Sequence, residues 1–119
     1  MKKTLVLGAT PDESRYAWLA ATKLMRHGHP VVLVGNKRGE VNGQPIVNGQ
    51  PEEKDVDTVT LYMNPKNQET FLDYIVGLKP KRIIFNPGTE NDKLIEMAEQ
   101  NGIEPVIGCT LVMLSSGEF

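Results

Sequence analysis

The sequence predicts an α/β fold: a doubly wound, mostly parallel sheet of five strands in the order 3-2-1-4-5, with helices on both faces. Three observations carry this prediction. Short apolar runs alternate with amphipathic stretches along the whole chain, and such alternation implies parallel strands joined by right-handed crossovers. The first two runs, Leu5-Val6-Leu7 and Val31-Val32-Leu33-Val34, are apolar throughout, as in strands covered on both faces. Each then stops at a glycine, Gly8 or Gly35, where a strand can give way to a tight turn.

Residues 3–8 form the first strand. Ser14 or Asp12 is the expected N-cap of the helix that follows, in which Ala17, Ala20, Ala21, Leu24 and Met25 recur at the spacing of one helical face. With alanine at three of those positions, the helix can lie close to the sheet. Gly28 and then Pro30 end it, and Pro30 opens the second strand, completing a βαβ unit. Residues 39–55 change character. Val41-Asn42-Gly43-Gln44-Pro45 recurs as Val47-Asn48-Gly49-Gln50-Pro51, which reads as an excursion of two turns with a short extended piece at Ile46 and Val47.

The third strand lies within Val56 to Met63, where Val59, Leu61 and Met63 alternate with Thr58, Thr60 and Tyr62; the alternation predicts a less deeply buried strand than the first two. Asn64 caps the next helix and Pro65 occupies its first turn, with Phe71, Tyr74, Ile75 and Leu78 on one face and Lys79-Pro80 at its end. Ile83-Ile84-Phe85 is the fourth strand. In the turn after it, Thr89 and Asp92 fit the first and fourth places of a capping box. Leu94, Met97 and Ala98 give the following helix its buried stripe, and Gly102 ends it. Pro105-Val106-Ile107 makes the fifth strand, and Leu111 to Leu114 one more helical turn.

Composition narrows the class. The 119 residues read as a single domain over 1–119, and 39% hydrophobic and 24% charged residues are ordinary for a globular chain. A net charge of −2 argues against a nucleic-acid binder, which needs a basic field to displace counterions. No apolar run approaches the roughly 18 residues of a membrane span. Met1-Lys2-Lys3-Thr4 resembles the start of a signal peptide, but only three apolar residues follow before Gly8. One cysteine, Cys109, permits no internal disulfide, so a cytoplasmic protein is expected.

In a doubly wound sheet, the residues that follow the strands share one edge, and ligands bind there beside the point where strand order reverses. Those residues are Gly8-Ala9-Thr10, Gly35-Asn36-Lys37-Arg38, Asn64-Pro65, Asn86-Pro87-Gly88-Thr89 and Gly108-Cys109-Thr110, with Ser14 and Arg15 entering the first helix. Glycine, amides, hydroxyls and cations suit a phosphorylated nucleotide better than they suit catalysis. The dinucleotide fingerprint is incomplete, since Thr10 and Glu13 stand where further glycines are expected. The second strand ends on Lys37 and Arg38 rather than the acidic group of NAD binders, which favours a ligand with an extra ribose phosphate: coenzyme A or NADP. Arg15 and Lys37 are the expected phosphate contacts, and the backbone of Gly8 to Thr10 the cradle.

With these pieces in order, the chain resembles the small stand-alone CoA-binding domain proteins, a Rossmann-like family related to the nucleotide-binding half of the succinyl-CoA synthetase alpha subunit. The resemblance rests on Gly8-Ala9-Thr10 with Ser14-Arg15-Tyr16, Val34-Gly35-Asn36-Lys37, Tyr62-Met63-Asn64-Pro65, Pro87-Gly88-Thr89-Glu90-Asn91 and Gly108-Cys109-Thr110. It implies that the first turn and the Lys37 region hold CoA phosphates, while the Asn64-Pro65 and Pro87-Gly88 loops flank the adenosine and pantetheine. Many relatives have Asn-Pro where this chain has Gly35-Asn36-Lys37. Synthetase chemistry needs a phosphohistidine, and His27 and His29 fall on the opposite sheet edge.

The expected function is therefore non-catalytic binding of coenzyme A or an acyl-CoA. Two alternatives are an NADP-binding reductase-like protein and a regulatory protein with a vestigial site. Cys109 is either a packing residue or a thiol able to form a mixed disulfide with CoA. Trp18, off the main stripe of its helix, is either edge-of-core packing or a self-association patch, which leaves a homodimer open. Asp12 and Glu13 read as cap and dipole partners rather than an acid–base pair.

Overall fold

The computed structural model describes residues 1–119. Its strands are β1 (Thr4–Leu7), β2 (Val31–Val34), β3 (Glu40–Val41), β4 (Gln44–Val47), β5 (Thr58–Leu61), β6 (Arg82–Phe85) and β7 (Glu104–Ile107). The helices are α1 (Tyr16–Arg26), α2 (Pro65–Gln68), α3 (Leu72–Gly77), α4 (Asp92–Gln100) and α5 (Thr110–Ser116), with a 3-10 turn at Glu69–Phe71 between α2 and α3. One sheet runs β3-β4-β2-β1-β5-β6-β7, and every pairing is parallel except β3 with β4.

The predicted class holds, and the strand count and order need correcting. Seven strands form the sheet rather than five, and the third strand of the sequence reading, β5, lies on the far side of β1 from β2. Counting β4 as the third strand, the six parallel strands run 3-2-1-4-5-6. That strand falls in the segment read as two turns. Asn42 and Gly43 both have positive φ, 48° and 86°, the geometry of a two-residue hairpin turn, and they bring Gln44 opposite Val41. Ile46 and Val47 then pair with Leu33 and Val34.

Strand alternation sorts the core into two layers. Leu5, Leu7, Val59, Leu61, Ile83 and Phe85 pack under α3 and α4 with Leu72, Ile75, Leu94 and Ala98. On the other face, Val6, Leu33 and Ile84 pack under α1 and α5 with Ala21, Leu24 and Leu114. Trp18 is half-buried against this second layer, as edge-of-core packing.

The expectation of a shallower β5 fails: all four of its residues are buried. Both of its threonines are satisfied: the Thr60 hydroxyl bonds to the Thr110 hydroxyl of α5 at 2.7 Å and accepts from the Asn86 amide at 2.7 Å, and the Thr58 hydroxyl donates to Asp57 at 2.7 Å and accepts from Arg82 at 2.8 Å. Asn64 caps α2 as predicted, accepting from the Asn67 N–H at 2.9 Å. The capping box at α4 does not form. Asn91 is its cap, and the Thr89 hydroxyl turns back to the Asn86 carbonyl. The last helix extends over seven residues rather than one turn.

At the amino end of the strands, Phe119 closes the second layer. Its ring lies under the Arg82 guanidinium at 4.4 Å, and its carbonyl accepts from Arg82 at 3.0 Å and from the Lys2 ammonium. His29 meets the same ring edge-on at 4.9 Å, and its Nδ1 accepts from the Lys2 N–H. Burial, with His27, Lys2 and Arg82 nearby, holds its pKa below the ordinary 6.5. Since the folded form resists protonation, this stabilisation is complete above pH 6.5 and lost as pH falls below it. We expect the melting temperature to drop on acidification through that range, and His29→Gln to remove part of the drop. Melting curves across pH test this, and coincident pH profiles for the two proteins would refute it.

Candidate functional site

The site is built by backbone meeting backbone at the carboxyl ends of three strands. The Val34 carbonyl, at the end of β2, accepts from both the Gly8 N–H at 2.8 Å and the Ala9 N–H at 2.9 Å. This draws the β1 turn over β2. Gly8 has φ +102°, and a Cβ there would stand 2.8 Å from the Tyr62 backbone just after β5. A Cβ on Gly35 would overlap the Ala9 carbonyl oxygen. Only glycine fits either place.

The chain then turns before α1. Asp12 donates its N–H to the Thr10 hydroxyl, and the Asp12 carboxylate accepts from the Ser14 N–H at 3.0 Å and the Ser14 hydroxyl at 2.7 Å. Neither Asp12 nor Ser14 caps the helix, which corrects the sequence expectation. Arg15 occupies the cap position in extended conformation and makes no side-chain cap bond. The first helical N–H to reach a carbonyl is that of Leu19, bonded to Arg15 at 3.3 Å. The N–H groups of Tyr16, Ala17 and Trp18 donate to no protein acceptor. They leave the positive end of an 11-residue helix open.

A cleft of about 1200 Å³ lies over this turn. Of the residues singled out from sequence, Gly8, Ala9, Thr10, Ser14, Arg15, Gly35, Asn36, Lys37 and Asn64 line it. Pro65, Pro87 and Gly88 do not. Pro65 instead opens α2, and Pro87 and Gly88 belong to the loop after β6. The expected cradle also shifts: with Gly8 and Ala9 bonded to Val34, the open backbone donors are Thr10 and the α1 N-terminus.

Several lining residues escaped sequence reading. Asn48 and Gly49 enter from the end of β4, where Asn48 donates to the Gly35 carbonyl at 2.5 Å and so braces the turn after β2. The second Asn-Gly of the repeat was the available signal. Tyr16, Asn67 and Phe71 complete the mouth and the far wall.

Charge in the cleft is mostly unpaired. Arg15 and Lys37 are exposed, and neither has a carboxylate within 4.0 Å. Hydrogen bonds from Ser14, with the fields of Arg15 and Lys37 adding, hold the Asp12 carboxyl below its usual range. Tyr62 lines the floor, and its buried hydroxyl has no hydrogen-bond partner. Burial pushes its pKa up, so the hydroxyl stays protonated. Cys109 is half-buried at the cap of α5 and outside the cleft lining. His27 and His29 sit past the C-terminal end of α1, away from the cleft. No group of three or more His, Cys, Asp or Glu is placed to hold a metal ion, and no helix is long and apolar enough to cross a membrane.

Fold and cleft together define a doubly wound α/β protein with an anion-compatible site at the point where strand order reverses. The family model described as CoA binding domain matches residues 2–115, and the chain belongs to that family. No curated protein matches it. Among solved structures, an uncharacterized protein is 63% identical with a TM-score of 0.98, over 100% of this chain and 98% of the other. Cell-free ID.343 from Thermus thermophilus is 23% identical with a TM-score of 0.84, over 99% and 90%. A hypothetical protein from Pyrococcus horikoshii OT3 is 25% identical with a TM-score of 0.84, over 97% and 82%.

The backbone contacts at the two glycines make a direct test. Gly8→Ala should cost at least about 2 kcal/mol through strain and overlap with the Tyr62 backbone. Gly49→Ala, with open space around its Cβ, should cost less despite its own positive φ. Urea titration of both variants measures the difference, and equal losses would contradict the packing described.

Proposed function

We propose that the chain, as a single domain over residues 1–119, binds coenzyme A or an acyl-CoA without catalysing a reaction. The observation that carries this reading is the meeting, in one cleft, of the open α1 N-terminus with the unpaired cations Arg15 and Lys37. Helix N–H groups and the Thr10 backbone suit a diphosphate, which is the centre of the coenzyme A molecule. Lys37, after β2, suits the ribose phosphate. Membership in the CoA binding domain family supports the ligand class.

The donor set fits the remaining parts. Gly35 and Asn36 bring backbone close to the nucleotide end, and Asn64 offers an amide on the opposite wall. Pro65, at the start of α2, and Pro87 and Gly88, in the loop after β6, lie outside the lining. The reading requires no second copy of the chain. Its single free cysteine accords with the cytoplasm.

Coenzyme A should raise the melting temperature progressively, with about 2.7 kcal/mol of stabilisation at a hundredfold excess over Kd. Dephospho-CoA should do less. Lys37→Ala should weaken coenzyme A by about tenfold and flatten the salt dependence, while affecting dephospho-CoA little. Calorimetric titration with coenzyme A, acetyl-CoA, dephospho-CoA and NADPH checks all four arms. Tight NADPH binding with none for coenzyme A would favour the reductase-like alternative, and no shift from any of them would reject the reading.

A further inference from the structure

Gln68 is fully buried at the end of α2, yet it does not line the cleft. A glutamine without solvent must have its amide satisfied, and this one is. Its Nε2 donates to the Met63 carbonyl at 2.8 Å and to the Thr89 carbonyl at 2.8 Å, and its Oε1 accepts from the Asn91 Nδ2 at 2.9 Å. Met63 belongs to the cleft wall, with Asn64 and Asn67 beside it. Thr89 and Asn91 belong to the loop between β6 and α4. Two loops that share no strand pairing at this height are thereby tied through one side chain.

We infer that Gln68 is a positioning residue for the cleft: it sets where the Met63–Asn67 wall stands by fastening it to the β6–α4 loop. Its other ties lie further along the chain and are exposed: Lys93 reaches Glu69 at 3.1 Å, and the Gln50 amide donates to the Thr70 carbonyl at 2.9 Å. α2 has only four residues, capped by Asn64, before the chain passes into a 3-10 turn. The loop on the other side is anchored. Asn86 donates to the Leu61 carbonyl at 2.8 Å and accepts from the Thr110 N–H at 2.8 Å, and Asn91 holds the first turn of α4. Position therefore passes from the anchored loop to the wall through Gln68, the buried link between them.

Asn91→Asp separates positioning from stability. An aspartate keeps the oxygen that caps α4 at Lys93 and Leu94, so the helix is not weakened, but it replaces the donor facing Gln68 with an acceptor. Flipping the Gln68 amide would only move the clash to the Met63 and Thr89 carbonyls. Gln68→Met removes the link at similar volume, and Ile83→Ala, a core truncation away from the cleft, is the control for destabilisation alone.

The first readout needs no ligand. Amide exchange at Asn67 and Gln68, measured relative to β1 and β5 amides, should speed up by about tenfold in Asn91→Asp and Gln68→Met and stay unchanged in Ile83→Ala. The second readout rests on the coenzyme A reading. At a temperature where all variants are folded, coenzyme A should bind about tenfold more weakly to Asn91→Asp and Gln68→Met than to the wild type, and normally to Ile83→Ala. Unchanged exchange in Asn91→Asp overturns the inference, as does unchanged affinity in both linked variants when the wild type binds. A wild type that does not bind coenzyme A rejects the ligand reading alone, and amide exchange then decides the role of Gln68.

Discussion

Everything at the carboxyl edge of the sheet depends on one carbonyl. The Val34 oxygen accepts two N–H groups from the turn after β1, and this doubled acceptance pulls that turn across the end of β2. The glycines follow from it. Gly8 lies against the Tyr62 backbone and Gly35 under the Ala9 carbonyl, where any side chain would force three strand ends apart. Because the turn is fixed in this way, the start of α1 is delayed to Tyr16, and its first N–H groups face open space instead of a side-chain cap.

The two faces of the sheet solve the polar problem differently. Under α3 and α4 the packed cluster is apolar, and the one fully buried amide near it, Gln68, is satisfied by Met63, Thr89 and Asn91. Under α5 Thr60 of β5 would be buried without partners, and Thr110 and Asn86 supply them. The resulting network is continuous with the Asn86 contacts to Leu61 and Thr110, so the packing of α5 and the exit of β5 are one structural unit.

The sequence made the architecture legible wherever periodicity and punctuation agreed. Apolar runs stopping at Gly8 and Gly35, and Asn64-Pro65 at a helix start, each state a local rule that the structure obeys. β4 was hidden because Gln44-Pro45 and Asn48-Gly49 are turn chemistry surrounding only two apolar residues, and what makes a strand there is pairing with β2, a non-local fact. β5 misled for the opposite reason: its polar alternation suggests an exposed face, while partners that allow burial come from Arg82, Asn86 and Thr110, far along the chain. Cleft residues were readable as strand ends. Asn48 and Gly49 were not, since they arrive on the strand that went unrecognised. Nor could spacing show that Gly8 and Ala9 turn their N–H groups away from the cleft.

The outer strand β7 has a consequence for how copies of the chain meet. Glu104 and Gly108 point their N–H groups inward, to the Lys81 and Phe85 carbonyls, so the alternate positions 105 and 107 face outward. Position 105 is a proline and has no N–H to offer. At the other end the sheet finishes in β3, two residues long. An added strand would find a single donor, that of Ile107, on the longer edge and almost no ladder on the shorter. The sheet thus offers little backbone ladder for strand addition at either end.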